Sequence, residues 1–202
     1  MLAPSWLAPQ APPVRLDPGA CRWERERAAV RGHRVLAFSS DDAGNPNRAT
    51  GTPDVFPRAG PGEFGAPSGF GGDGSVSNLA VFNAPPARVW SPSRSENRPE
   101  WISLTLRRPI VAHELWVFVT GGAGAEMRIA VVNADLSLTP VAELPPEQPP
   151  DRRVAQVVVP LDSARMVHGI RVEVDPASVG QLIYIDAVAA APRRVCAPAA
   201  PR

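Results

Sequence analysis

Apolar and polar positions begin to alternate at residue 33. In HRVLAFSS, Val35, Ala37 and Ser39 alternate with Leu36, Phe38 and Ser40, the period of a strand with one face buried. The pattern lapses between about 41 and 89, where NLAVFN is the one short strand-like stretch. It returns after Trp90. In WSPSRSENRPEWISLTL, residues 90–106, a polar loop ends at Trp101. Ile102, Leu104 and Leu106 then share one face, and Trp101, Ser103 and Thr105 the other. Strands are predicted over 100–106, 110–120, 126–133, 138–144, 154–161, 166–174 and 182–190. Turn signals separate them: Arg107-Arg108-Pro109, Gly121-Gly122, Asn133-Ala134-Asp135, PPEQPPD, and Asp175-Pro176 through Gly180. About eight short strands with turns at such spacing predict an all-β fold, an antiparallel β-sandwich of jelly-roll type. Long helical patterns between strands are absent, which argues against a parallel α/β sheet.

Outside that region the chain changes character. Residues 1–20 are rich in Pro and Ala and read as an extended tail or a strap over the surface. CRWERERAAVRG, 21–32, has the composition of one or two helical turns ending at Gly32. One domain is expected over 21–196, with a Gly-rich loop insertion at 59–87 and a disordered tail at 197–202. Loops as long as 41–89 tend to be functional or disordered. Pro at 25 and Gly at 16 make a fifth of the 202 residues, as suits many strands joined by turns. No apolar run reaches the length of a membrane span. MLAPSWLAPQAPP lacks the basic start and unbroken apolar core of a signal peptide.

Formal net charge is +1, so neither a strong nucleic-acid field nor membrane insertion is expected. All 21 basic residues are Arg and they are scattered, as on a solvated surface. The three histidines, His33, His113 and His168, have no metal-ligand spacing, and no nucleophile elbow or phosphate loop is present. Glu114, Glu126, Glu173 and Asp186 lie in predicted strands. A pair of such acids across a cleft is glycosidase chemistry, but no cleft is signalled and no enzyme is expected. Cys21 and Cys196 have two readings. In a sandwich whose first and last strands are neighbours they meet, and the bridge contributes on the order of 5 kcal/mol in the chain-entropy account. In a reducing compartment they are free thiols.

Four stretches resemble the discoidin, or coagulation-factor type C, superfamily of galactose-binding-like jelly rolls, closest to the bacterial type related to the scarf domain of pappalysin metalloproteases. They are ATGTPDVFP (49–57), VWSP with EWISLTLRRPIVAHELWVF (89–118), MRIAVVNAD (127–135) and VHGIRVEVDPASVGQLIYIDAVAA (167–190). Two departures stand out. The interval between the Pro-Asp-Val turn and the first Trp is longer here. Leu182, Ile183 and Tyr184 stand where many members have Trp-Asn-Glu. The resemblance implies a non-catalytic module that binds glycans, lipid head groups or proteins through loops at one end. It implies a structural calcium at the turn bearing Asp54, with Asp41, Asp42 and Asn47 beside it and Asn45 close by. Oxygen donors suit that ion, although Asp and Asn also simply make turns. It also favours the Cys21–Cys196 bridge.

Two readings of Trp101 follow. As a ligand platform it stacks on a sugar while Arg94, Glu96, Asn97 and Arg98 bind hydroxyls. As a packing residue its outward ring needs a cover, which the N-terminal tail or the 59–87 insertion supplies. The expected function is a binding module for carbohydrate or a cell-surface ligand, extracellular or on the cell surface, with a glycan or surface protein as partner. The alternative is a structural subunit of a larger surface, envelope or virion assembly, or a homo-oligomer.

Overall fold

The computed structural model of the chain describes residues 12–16, 21, 27–40, 49–50, 90–92, 98–122, 124–147, 155–179 and 183–196. These residues hold seven strands: β1 (Val14–Leu16), β2 (Val30–Phe38), β3 (Glu100–Gly121), β4 (Glu126–Val132), β5 (Leu138–Leu144), β6 (Ala155–Asp175) and β7 (Tyr184–Ala191). Every pairing is antiparallel. The fold is the expected all-β sandwich, made by one sheet that curls over on itself.

Two long strands make the curl. The first part of β3 lies between β2 and the end of β6, with β4 and β5 beyond. Its second part lies between β7 and the start of β6, with β1 beyond. Thus β3 and β6, 22 and 21 residues long, each belong to both layers. The sequence pattern predicted each of them as two strands. Arg107-Arg108-Pro109 is not a chain reversal but a bend within β3. Register shifts fall between Thr105 and Ile110 and between Ala112 and Glu114. Pro109 has no N–H to give a ladder, and such irregularities bend a strand without ending it. The second irregularity, between Ala112 and Glu114, rephases the side chains. Ile102, Leu104 and Leu106 face the core before it, and Leu115, Val117 and Val119 after it.

The inward residues of both layers form one core, with Ile170, Val172 and Val174 from β6 and Ile129 and Val131 from β4. Gly169 sits where β6 passes the bend. An added Cβ there would overlap the carbonyl oxygen of Leu104, so only glycine allows this approach.

One terminal segment differs from expectation. Residues 30–32, predicted as the end of a helical turn, are strand. Val30 and Arg31 pair with Ala190 and Ala189, and Gly32 with Leu106, so tertiary pairing overrides a weak helical preference. Val14–Leu16 of the Pro-rich segment adds to the edge of β6 opposite Val158, Val157 and Gln156. Cys21 and Cys196 are bridged, with Cα atoms 5.2 Å apart. The bridge closes over a second apolar cluster, on the outer face of the second layer, built from Trp116, Phe118, Val158, Ala187 and Ala189. The 59–87 insertion and the 197–202 tail lie outside the described residues.

Candidate functional site

Strand directions bring most connections to one end of the sandwich. There β2 finishes beside the start of β3 (Phe38 opposite Ile102), β6 finishes beside β3 and β4, and β7 starts opposite Gly121. The segments 41–89, 91–99, 122–125, 145–154 and 176–183 all leave from this end. Connections carried by a rigid sandwich are where binding residues concentrate.

A polar seam closes this rim. Ser39, just past β2, makes two hydrogen bonds to the Trp101 backbone: its N–H donates to the Trp101 carbonyl at 2.9 Å, and its hydroxyl oxygen accepts from the Trp101 N–H at 2.7 Å. The Ser39 hydroxyl also donates to Glu100, and the Ser40 hydroxyl donates to the same carboxylate oxygen at 2.7 Å. The other oxygen accepts from Arg98 Nε at 3.3 Å. Glu100 is fully buried, whereas the Arg98 side chain is 58% exposed. Burial alone would raise the Glu100 pKa. The two hydroxyls and the guanidinium outweigh it and hold the carboxyl below its ordinary value, so the seam is anionic at neutral pH. Trp90 locks the seam to the other layer. Its backbone pairs with Ile185 at 2.8 and 2.9 Å, and its indole N–H donates to the Ser40 carbonyl at 2.6 Å.

Arg15 of β1 braces the same end. Its guanidinium donates to the carbonyls of Ala125 and Pro145 at 2.6 and 2.9 Å and lies 3.8 Å from the Glu147 carboxylate. The N–H of Glu147 in turn donates to Gly124 O at 2.8 Å.

Trp101 points the other way, onto the outer face of the first layer. It is half-buried; the 59–87 insertion and most of the N-terminal tail, the expected covers, lie outside the described residues. The Arg171 guanidinium of β6 lies 3.8 Å over the ring centroid, a cation–π contact. Burial lowers the Arg171 pKa, with Glu173 opposing that shift; the side chain still carries its charge. The face continues as a row of charges. Arg128 donates to Glu126, Glu173 and Glu143 at 2.9, 3.1 and 3.3 Å.

Of the residues singled out from sequence, Arg98 and Trp101 are therefore neighbours in the chain but not in one pocket: Arg98 lies on the rim and Trp101 on the outer face. Arg94, Glu96 and Asn97 lie outside the described residues, as do Asp41, Asp42, Asn45, Asn47 and Asp54. Among the described residues no group of three His, Cys, Asp or Glu side chains is placed to hold a metal. Two of the strand carboxylates, Glu126 and Glu173, are joined through Arg128. The other two, Glu114 and Asp186, are buried. Sequence reasoning passed over Glu100, Ser39, Ser40 and Arg171. The available signal was an acid immediately before Trp101 and a Ser-Ser pair closing the alternation of β2.

No protein-family model matches the chain, and no curated protein matches it. Solved structures do. One is the family 32 carbohydrate-binding module from Clostridium perfringens NanJ, in complex with galactose: 14% identity, 80% of this chain and 98% of that one, TM-score 0.49. Another is the family 32 module from Streptococcus pneumoniae EndoD: 13% identity, 89% and 100%, TM-score 0.45. A third is a chain of reduced XRCC1 bound to the DNA polymerase beta catalytic domain: 11% identity, 82% and 99%, TM-score 0.50. The structural neighbours thus include carbohydrate-binding modules. At these identities the likeness is one of fold.

Proposed function

We propose that the chain is a non-catalytic binding module that takes a carbohydrate or other cell-surface ligand at the rim where the connections converge. The supporting observation is Arg98. An exposed guanidinium at a loop-bearing end is held in place by a buried, hydrogen-bonded carboxylate, so the charge is presented there at reduced entropic cost. Arg94, Glu96 and Asn97, in the adjoining connection, complete the proposed hydroxyl-binding set, and Trp101 with its Arg171 cover borders it. Calcium at Asp41, Asp42, Asn47 and Asp54 belongs to the same reading as a structural ion. The Cys21–Cys196 bridge fits an extracellular or cell-surface setting, where such bonds persist.

The test is a glycan array probed with the purified protein in calcium and in EDTA. Binding to a defined sugar that is lost in Arg98→Ala supports the rim site. Loss in EDTA alone points to the Asp54 turn. A blank array from folded protein rejects the carbohydrate reading. The second reading, a subunit making protein–protein contacts, is favoured by β2. Among the described residues it is an edge strand bearing Leu36 and Phe38 at 40% and 43% exposure, and apolar edges invite pairing. Concentration-dependent association in sedimentation would support it.

A further inference from the structure

The disulfide and the rim are joined through the N-terminal segment. In β1, Val14 and Leu16 pack on the apolar cluster around Trp116, and alternation turns Arg15 to the other side. The Arg15 side chain is 8% exposed. Its Nη2 donates to the carbonyls of Ala125 and Pro145, and its Nη1 pairs with Glu147. Ala125 belongs to the connection between β3 and β4, and Pro145 and Glu147 to that between β5 and β6. One side chain on the edge of the second layer thus holds two of the connections that converge at the rim.

β1 does not hold Arg15 unaided. The strand is three residues long, laid against Val158, Val157 and Gln156, and so short a ladder opens readily. Cys21 is buried, lies five positions beyond Leu16 and is bonded to Cys196. Cys196 is itself fixed to the sheet. Its N–H donates to the buried Glu114 carboxylate at 3.2 Å, and Gln156 Nε2 donates to its sulfur at 3.7 Å. Gln156 is also the register partner of Leu16, so the bond anchors the segment beside the place where β1 pairs. Without the bond, the next strand along the chain begins at Val30, fourteen positions from Leu16.

We propose that the Cys21–Cys196 bond controls how firmly the rim is held, with Arg15 as the positioning residue that carries the effect. While the bond is closed, β1 stays docked and Arg15 ties the two connections together. A dithiol opens it: two electrons and two protons pass to the sulfurs, giving two thiols, and the reductant closes to its own disulfide. The tether of β1 then lengthens from five positions to fourteen. The local concentration of the strand at its own edge falls with about the three-halves power of that length, about fivefold. The guanidinium leaves with the strand, and water replaces it at the Ala125 and Pro145 carbonyls. A ligand at the rim then prefers the bridged form by up to that factor. This last consequence rests on the proposed rim site; the coupling between bond and rim does not.

The experiment is hydrogen exchange of the full chain followed by NMR, bridged and after reduction by dithiothreitol, with no ligand present. The N–H groups of Ala125 and Glu147, which donate to the carbonyls of Gly122 and Gly124 at 3.0 and 2.8 Å, report on the rim. Leu115 and Val117, in the centre of the sheet between β6 and β7, report on global opening. Reduction should speed exchange at Ala125 and Glu147 about fivefold, with Leu115 and Val117 still slower than both. Cys21→Ser with Cys196→Ser should match the reduced chain. Arg15→Gln with the bond closed should speed the same two amides about tenfold. The deciding arm is reduction of Arg15→Gln, which should add less than about twofold, because the bond acts through that side chain. Rim amides that reduction leaves unchanged overturn the proposal, as does a rise on reduction that Arg15→Gln retains in full. A sheet centre that exchanges as fast as the rim also overturns it, because the bond then holds the whole sandwich. A blank glycan array leaves these rates as they are, so the two readings fail separately.

Discussion

Trp101 and Trp116 sit on the same strand and both point away from the core, yet they meet different surroundings. Among the described residues one guanidinium lies over Trp101, and the ring is half-buried beside a row of charges. Over Trp116 lies chain: Val14 and Leu16 of β1, Ala29, Cys21 and Cys196 pack on the cluster around it. It is fully buried. Its indole N–H donates at 3.0 Å to the buried carboxylate of Glu114, which also accepts the backbone N–H of Cys196 at 3.2 Å. Glu114 is thus an acceptor for both the sheet face and the strap above it. The outer face of a sandwich layer becomes core only when distant segments cross it. Here the two terminal segments do so, and the disulfide joins them.

That contrast can be broken at several points. Removing the bridge with Cys21→Ser and Cys196→Ser should cost about 3–5 kcal/mol, read as a lowered denaturation midpoint. Trp116 fluorescence should shift red as the strap loosens. Trp116→Ala should cost about 3–4 kcal/mol by leaving a cavity and an under-satisfied carboxylate. At the rim, Glu100→Gln should cost about 2 kcal/mol at neutral pH. It should also flatten the acid limb of the stability curve. The folded pKa of Glu100 is depressed, so the unfolded chain binds the proton first. Its contribution is complete above the unfolded value near 4.5 and is lost as pH falls through the lower folded value. Denaturant midpoints between about pH 3 and 7 measure this. The smallest effect belongs to Trp101 and Arg171. A double-mutant cycle to alanine should give a coupling of about 0.5–1 kcal/mol. A coupling of several kcal/mol would mean that the exposed face is not the weaker of the two.

The strands were legible in the sequence wherever one face is buried. The alternation Ile102, Leu104, Leu106 names the core side of β3 directly, and VVVPL and IRVEV do the same for β6. What misled was the bend. Arg-Arg-Pro has the chemistry of a turn, and only the pairing of Thr105, Ile110 and Ala112 with β6 shows that the strand continues. Residues 30–32 misled in the other direction, because local helical composition says nothing of a β7 partner far along the chain. At the rim, Arg98 and Trp101 were visible, but their separation onto different surfaces was not. It depends on Glu100 turning inward to meet Ser39 and Ser40 across more than half a hundred residues of chain. The basic bend was invisible for the same reason. Arg107 and Arg108 are adjacent in sequence, but Arg34 of β2 and Arg165 of β6 come to the same end only through the pairing of those strands with β3.

The bridge also decides how the molecule responds to being pulled. Cys21 and Cys196 are 175 positions apart and covalently joined. Tension applied between the two ends of the chain passes through the sulfur–sulfur bond and bypasses every strand from β2 to β7. Only the short lengths outside the two cysteines, which include β1, can be drawn out. The sandwich is a mechanically shielded loop, and it bears load only once a reductant opens that link.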